Sequence, residues 1–333
     1  MIENFGLRIL TFQWLSGMRF KDGYIKNYKV EEISMSRVFI FGQNNDNLIY
    51  VLQHLKNGKE EGVLIVGDAL EVLKIIPDNS IDMIITSPPY DNLREYYDGF
   101  KWNFEIFSEI AKELVRVLKD GRVIVWITSD ATINCSETGS SFKQVLFFME
   151  LGLKLHDTMI FKKVNPIPQV YRKRYTNEFE FMFVLSKGCV EVHNPIMVKT
   201  KHAGLELKST TYKNFSLKEQ KRKKPANPVK EYKIKGNVWE YVVGVNKEDK
   251  EAKFHPAPFP LQLAIDHILS WSNEGDVILD PFCGSGTSCV AAKILKRKYI
   301  GIDISKEYIM KATDRIRRSD EFKGVNTSYY RES

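Results

Sequence analysis

Two stretches of the chain hold residue types at spacings suited to chemistry. Thr86-Ser87-Pro88-Pro89-Tyr90 combines a hydroxyl, carbonyls without a nearby proline N–H, two fixed φ angles and an aromatic face. Stiff, acceptor-rich and flat, such a turn suits a planar group that carries an amino donor. Taken alone, it is equally a proline turn after a strand. The second stretch is Asp280-Pro281-Phe282-Cys283-Gly284-Ser285-Gly286-Thr287, followed by a helical segment and an apolar run that ends in Asp303. Strand, glycine turn, helix, strand and carboxylate is the plan of a site for an adenosine-containing cofactor. The glycines admit a ligand close to the backbone, and the acid accepts from ribose hydroxyls.

Cys289 stands where the third glycine of the dinucleotide fingerprint belongs, and no G-x-x-x-x-G-K-[ST] occurs, so dinucleotides and nucleoside triphosphates are disfavoured. Asp280, expected at the mouth of the turn, repels phosphate and favours a cationic amine. A ligand with adenosine at one end and an amino acid at the other fits, and S-adenosylmethionine (AdoMet) is such a ligand. A third carboxylate, Asp68, lies with Ala69 just past the apolar run Val63–Val66. It can accept from a ribose or a base edge, or simply cap the next helix.

The elements that must position these residues follow from apolar runs and periodicity. Strands are predicted at 63–66, 81–85, 122–128, 276–280 and 299–303, with a pair at 155–161 and 179–185. Helices are predicted at 70–76, 104–118, 141–151, 261–271, 289–295 and 305–317. Residues 91–103, polar and aromatic, read as a loop over the site. The alternation predicts an α/β fold with a doubly wound, mostly parallel sheet and an antiparallel edge. Ligands bind such sheets at the carboxyl ends of the strands. Residues 1–60 read as an extension that packs on the core or on a second subunit.

With 43% hydrophobic and 27% charged residues, the chain is globular and able to bury a substantial core. Cys135, Cys189, Cys283 and Cys289 include no Cys-x-x-Cys pair, which predicts reduced thiols in a cytoplasmic protein. The six histidines lack metal-ligand spacing, so no metal site is expected. No stretch reaches the length of a membrane span, and Arg8, Gln13, Trp14 and Arg19 argue against a signal peptide. The net charge of +7 favours a polyanionic partner. It is concentrated: residues 199–235 hold twelve Lys or Arg against three Glu, with Lys221, Arg222, Lys223 and Lys224 in succession. This stretch reads as an insertion suited to phosphate contacts, or as a solvated lysine-rich loop.

Asp280 to Thr287 resembles the AdoMet-binding motif of DNA amino-methyltransferases, and Thr86 to Tyr90 resembles their catalytic motif in the form typical of cytosine-N4 enzymes. His255-Pro256-Ala257-Pro258-Phe259-Pro260 resembles the segment ahead of the AdoMet motif. Lys163 to Pro168 and the strand from Glu178 to Gly188 resemble the intervening motifs. Catalytic motif first, basic insertion next and AdoMet motif last is the circularly permuted order called the β group. The resemblance covers about residues 62–318.

The resemblance implies a seven-stranded AdoMet-dependent methyltransferase sheet and the following division: 1–60 an extension, 61–189 the catalytic half, 190–250 a target-recognition insertion, 251–320 the AdoMet-binding half and 321–333 a tail. It implies site-specific transfer of a methyl group to N4 of a flipped cytosine in double-stranded DNA, with adenine N6 as alternative and a catalytically silent DNA-binding subunit as second alternative. Ser87, Pro88, Pro89 and Tyr90 would be catalytic. Asp68, Ala69, His255, Pro256, Phe259, Asp280, Phe282, Gly284, Ser285, Gly286, Thr287 and Asp303 would line the cofactor site. Arg172, Lys173 and Arg174 would join Lys221 to Lys224 on DNA. A cognate restriction endonuclease and a monomeric or homodimeric state are further expectations.

Overall fold

The computed structural model describes residues 36–40, 52, 55, 61–89, 102–166, 168, 173–205, 210–213, 220–223, 228–243 and 259–319. Tyr90, the 91–101 part of the expected loop, Arg172, Lys224, His255, Pro256 and the 321–333 tail lie outside the described residues.

In chain order the elements are β1 (Ser36–Ile40), β2 (Gly62–Val66), α1 (Ala69–Leu73), β3 (Ile81–Thr86), α2 (Phe104–Val117), β4 (Leu118–Thr128), β5 (Thr132–Ile133), β6 (Ser136–Glu137), α3 (Ser140–Glu150), β7 (Lys154–Lys163) and β8 (Phe179–Ser186). Then follow β9 (Met197–Lys199), β10 (Thr210–Lys213), β11 (Gln220–Lys223), β12 (Tyr232–Ile234), β13 (Val238–Tyr241), α4 (Leu261–Trp271), β14 (Val277–Asp280), α5 (Thr287–Ile294), β15 (Lys298–Asp303) and α6 (Lys306–Arg317).

Among the described residues, nine strands form the main sheet in the order β1-β2-β15-β14-β3-β4-β8-β7-β13. From β1 to β4 every pairing is parallel, β8 is antiparallel to both β4 and β7, and β13 is parallel to β7. The expected count of seven is corrected by two edge strands. One, β1, falls inside the 1–60 extension. The other, β13, falls inside the stretch read as the 190–250 insertion. Each needs a partner on one side only, so each can be short. In β13 Trp239 and Tyr241 are buried while Val238 and Glu240 are exposed, a period of two too brief to stand out beside a lysine-rich stretch.

Alternation along the central strands divides the core into two layers. Val63, Ile65, Ile84, Ile124, Trp126, Leu279, Ile300 and Ile302 share one cluster with Leu73 of α1, Phe107 and Ile110 of α2 and Phe148 of α3. Helices α4, α5 and α6 pack on the sheet from the other side. Both faces are therefore covered, and β3 is buried at all six positions. The apolar face of α2 carries Phe107, Ile110, Ala111, Leu114 and Val117, and Asn103 caps its start by accepting from the Ile106 N–H at 2.9 Å.

At the amino edge of the central strands a charged lock fixes their register. Buried Asp82 accepts from the Val277 N–H at 3.0 Å and pairs with Lys119 at 2.7 Å and Arg122 at 3.3 Å; Arg122 also holds Asp276 at 2.8 Å. Residues from β3, β4 and the start of β14 are thus tied together at the end opposite the candidate site.

Asn194–Gly236 forms a second compact unit. In it β9 pairs antiparallel with β12, and β10 pairs antiparallel with β11 as a two-stranded ribbon. Lys221, Arg222 and Lys223 lie on β11, in register with Tyr212, Thr211 and Thr210.

Candidate active site

Strands β14 and β3 are parallel neighbours, yet the chain leaves them in opposite directions along the sheet. After β14 it passes through α5 to β15 on one side. After β3 it passes through α2 to β4 on the other. Between them lies the switch point at which open α/β sheets bind ligands. The turn after β14 is the glycine turn, and the turn after β3 begins with Ser87.

The glycine turn is built by its backbone. The Cys283 N–H donates to the Ile302 carbonyl at 2.9 Å, and the Gly286 N–H to the Cys283 carbonyl at 2.7 Å. Gly284 and Gly286 hold φ of 50° and 79°, the left-handed region. A Cβ on Gly286 would lie 2.7 Å from the Ala312 Cβ of α6, so this position has neither the angle nor the room for a side chain. Asp303 closes the turn: its Oδ2 accepts from the Gly284 N–H at 2.9 Å and its Oδ1 from the Ser305 N–H at 2.8 Å. Burial nevertheless raises the Asp303 carboxyl to about 6, the two N–H donors opposing the shift. A half-buried carboxylate still short of stabilisation is suited to hydroxyl donors from a ribose.

Asp280 departs from expectation. Its carboxyl lies buried beneath the turn, not at its mouth. Oδ1 accepts from the Thr86 hydroxyl at 2.7 Å and the Phe282 N–H at 3.1 Å, and Oδ2 accepts from the Ser288 hydroxyl. The reason is that β14 runs fully buried to its last residue, so the side chain ending it must find partners inside the fold. Burial raises this carboxyl to about 6 against the pull of those three donors. A carboxylate accepts about four hydrogen bonds, and three of these are made inside the fold.

Ser285 and Thr287 are buried and engaged from behind by Arg315 of α6. Its Nη1 donates to the Ser285 carbonyl, to the Ser285 Oγ at 2.9 Å and to the Thr287 Oγ1 at 3.2 Å. Arg315 is fully buried. The sequence offers no signal for this role beyond an arginine on the buried face of the helix following the acid-tipped strand. Phe282 packs edge-on to Trp102 at 5.4 Å, giving the turn an apolar wall that the 91–103 loop reading had not assigned. Cys283 and Cys289 are buried, and burial pushes the Cys283 thiol well above its ordinary range; it packs and does not act as a nucleophile.

Asp68 caps α1, accepting from the Glu71 N–H at 3.1 Å, and Ala69 is buried. The neighbouring Gly67 N–H donates to the Asp303 carbonyl at 3.0 Å, which brings the Asp68 turn to the Asp303 end of the site. Pro88 is buried, and Ser87, Pro89 and Phe259 are half-buried. The structure thus brings Ser87, Asp280, Asp303 and Asp68 to one sheet edge. Lys173 and Arg174 are exposed on the β7–β8 connection, where Arg174 pairs with Glu137 at 3.0 Å. Among the described residues no cluster of His, Cys, Asp and Glu is arranged to hold a metal ion.

A doubly wound sheet with a glycine turn and an acid-tipped following strand at its switch point defines an α/β enzyme built around a nucleoside-type cofactor. The sequence profile of the DNA methylase family, the N4-cytosine and N6-adenine DNA methyltransferases, matches residues 81–314, and the chain belongs to this family. It is 46% identical over 246 residues to the orphan methyltransferase M.BamHII of Bacillus amyloliquefaciens, covering 73% of this chain and 91% of that protein. It is 31% identical over 265 residues to the DNA adenine methyltransferase YhdJ of Escherichia coli (strain K12), covering 76% of this chain and 81% of that protein. Among solved structures, the cytosine-N4-specific PvuII DNA methyltransferase shares the fold, with a TM-score of 0.53 at 19% identity over 79% of this chain and 94% of that one. Among the described residues no helix is long and apolar enough to cross a membrane.

Proposed function

We propose that this DNA methyltransferase acts on the exocyclic N4 of cytosine, extruded from duplex DNA into the crevice between β3 and β14. The cofactor is AdoMet, whose sulfonium supplies an activated methyl group. The observation that carries the reading is the Thr86–Asp280 hydrogen bond. It joins the strand that ends in Ser-Pro-Pro-Tyr to the strand that ends in the glycine turn, and so holds an amine acceptor beside a cofactor turn.

An exocyclic amine is a poor nucleophile because its lone pair is delocalised into the ring. The Ser87 hydroxyl and the Pro88 carbonyl accept its two hydrogens and turn the nitrogen towards tetrahedral geometry. Tyr90 stacks on the extruded base, worth about 1–3 kcal/mol. Asp303 accepts from the ribose, Asp68 lies towards the adenine, and Asp280 lies at the methionine ammonium. His255, Pro256, Phe259 and Phe282 complete the pocket. The permuted order of the β group accounts for a catalytic strand that precedes the cofactor strand in the chain and still lies next to it in the sheet. The 194–236 unit, with Lys221 to Lys224, is the target-recognition element. A restriction–modification setting, with a cognate endonuclease, is part of the same reading.

Serine ahead of Pro-Pro-Tyr favours cytosine. The similarity to an adenine methyltransferase favours a second reading, adenine N6. Enzymatic digestion of methylated DNA to nucleosides, followed by mass measurement, decides between them: N4-methylcytosine supports the first reading and N6-methyladenine overturns it in favour of the second.

A further inference from the structure

Tyr175 is 99% exposed, an entire aromatic ring presented to solvent. Its place in the sheet gives this exposure a use. β3 pairs with β4 through Thr86 and Trp126, and β4 pairs with β8 through Thr128 and Phe181. Because β8 runs antiparallel to β4, its first residue, Phe179, lies at the carboxyl edge of the central strands. β7 is antiparallel to β8 and ends at that same edge, with Lys162 opposite Phe179. Residues 173–178, which include Tyr175, therefore lead into β8 at the edge that holds Ser87, two strands away, or about 10 Å along the sheet.

The segment is pinned beside the tyrosine. Arg174 donates from Nη1 to Glu137 Oε1 at 3.0 Å and from Nη2 to the Cys135 carbonyl at 2.8 Å. Glu137 and Cys135 belong to the β5–β6 hairpin, a tight two-residue turn in which Asn134 and Cys135 both take positive φ. The hairpin is anchored in turn. The Thr138 N–H donates to the Ala131 carbonyl at 2.9 Å, and Asp130 accepts from the Ser141 N–H at 2.9 Å and the Ser141 hydroxyl at 2.6 Å. Arg174, the residue next to the exposed ring, is thus tied to the hairpin. Lys173, on its other side, is exposed and cationic.

Resting on the reading of a base-extruding DNA methyltransferase, we infer that Tyr175 is the wedge that enters the duplex and fills the gap left by the extruded base. Extrusion breaks stacking on both sides of the target. A flat ring held out on a braced loop restores stacking with little ordering cost, since Arg174 has already fixed the backbone that carries it. Lys173 meets the adjoining phosphate.

The test starts with wild-type protein, plasmid DNA and tritiated AdoMet, with methylated positions mapped by sequencing. A short duplex containing the mapped site then serves as substrate for Tyr175→Ala and Tyr175→Phe. A matched duplex carries a pyrene nucleotide opposite the target, which itself occupies the gap. On the natural duplex Tyr175→Ala should lose about tenfold or more in kcat/KM, and Tyr175→Phe should stay near wild type. The pyrene duplex should restore Tyr175→Ala. A loss that pyrene does not restore, or no loss at all, overturns the wedge alone. Absence of any methylation by the wild-type protein overturns the proposed function, and the wedge with it.

Discussion

The Thr86 hydroxyl donates to Asp280 Oδ1 at 2.7 Å, joining two buried residues 194 positions apart across the switch point of the sheet. Both sit at the ends of their strands, immediately before the turns that carry Ser87 and the glycines. A shift of one strand against the other would misalign Ser87 and the glycine turn together. Thr86→Val keeps the shape and removes the donor, leaving the Asp280 carboxylate with one fewer partner at a cost of about 1–3 kcal/mol. AdoMet affinity measured by calorimetry should fall accordingly, and Thr86→Ser should restore most of it. An unchanged affinity in Thr86→Val would show that the bond is dispensable.

Ser87 and Asp280 should separate in kinetics. Ser87→Ala removes the acceptor proposed for the reacting amine and should reduce kcat strongly while the AdoMet dissociation constant stays near wild type. Asp280→Ala should weaken AdoMet first. Equal loss of both properties in Ser87→Ala would remove its assigned role.

Proton linkage gives a third expectation. Burial raises both Asp280 and Asp303 from 3.8 to about 6. Between those values the folded protein binds more protons than the unfolded chain, so its stability falls as pH rises. The contribution is fully present below about pH 3.8 and is lost through about pH 6. Thermal melts of the ligand-free protein should therefore show this component declining from about pH 4 to about pH 6, and Asp303→Asn should flatten the decline. Donors from AdoMet favour the ionised carboxylates. Its binding should therefore weaken below about pH 6 and release protons there, which calorimetry in two buffers of different ionisation enthalpy reads directly.

Gly286 and Ala312 form a steric pair. Gly286→Ala places a methyl 2.7 Å from the Ala312 Cβ at a φ of 79°, and should lower both melting temperature and AdoMet affinity. Adding Ala312→Gly removes the clash but leaves the strained angle, which costs about 1–2 kcal/mol. Partial recovery is the expected outcome; complete recovery would mean that contact alone excludes a side chain.

Arg315 should behave as a brace for the same turn. Arg315→Met keeps much of the volume and removes the donors to Ser285 and Thr287, each hydrogen bond from a charged group being worth about 1.5–3 kcal/mol. Urea unfolding should shift to lower midpoint and AdoMet affinity should drop, with Arg315→Lys recovering part of both.

The amino-acid sequence by itself determined the central strands, the helices between them and the two turns at the switch point of the sheet. Apolar runs such as Ile81–Ile85 and Val277–Leu279 state their burial locally, and glycine and proline mark where each strand must stop. Only the tertiary structure decided what those turns share. Asp280 looked like an acid at the mouth of a turn because its burial comes from strands and helices far away in the chain, which no local pattern records. The same holds for Thr86 as its partner, for Arg315 behind Ser285, and for the pairing of Arg174 with Glu137. The edge strands β1 and β13 stayed hidden for a related reason, since five and four residues are enough once a neighbouring strand supplies the hydrogen bonds. Each of these is a contact between segments distant in sequence, and such contacts exist only after the chain has closed upon itself.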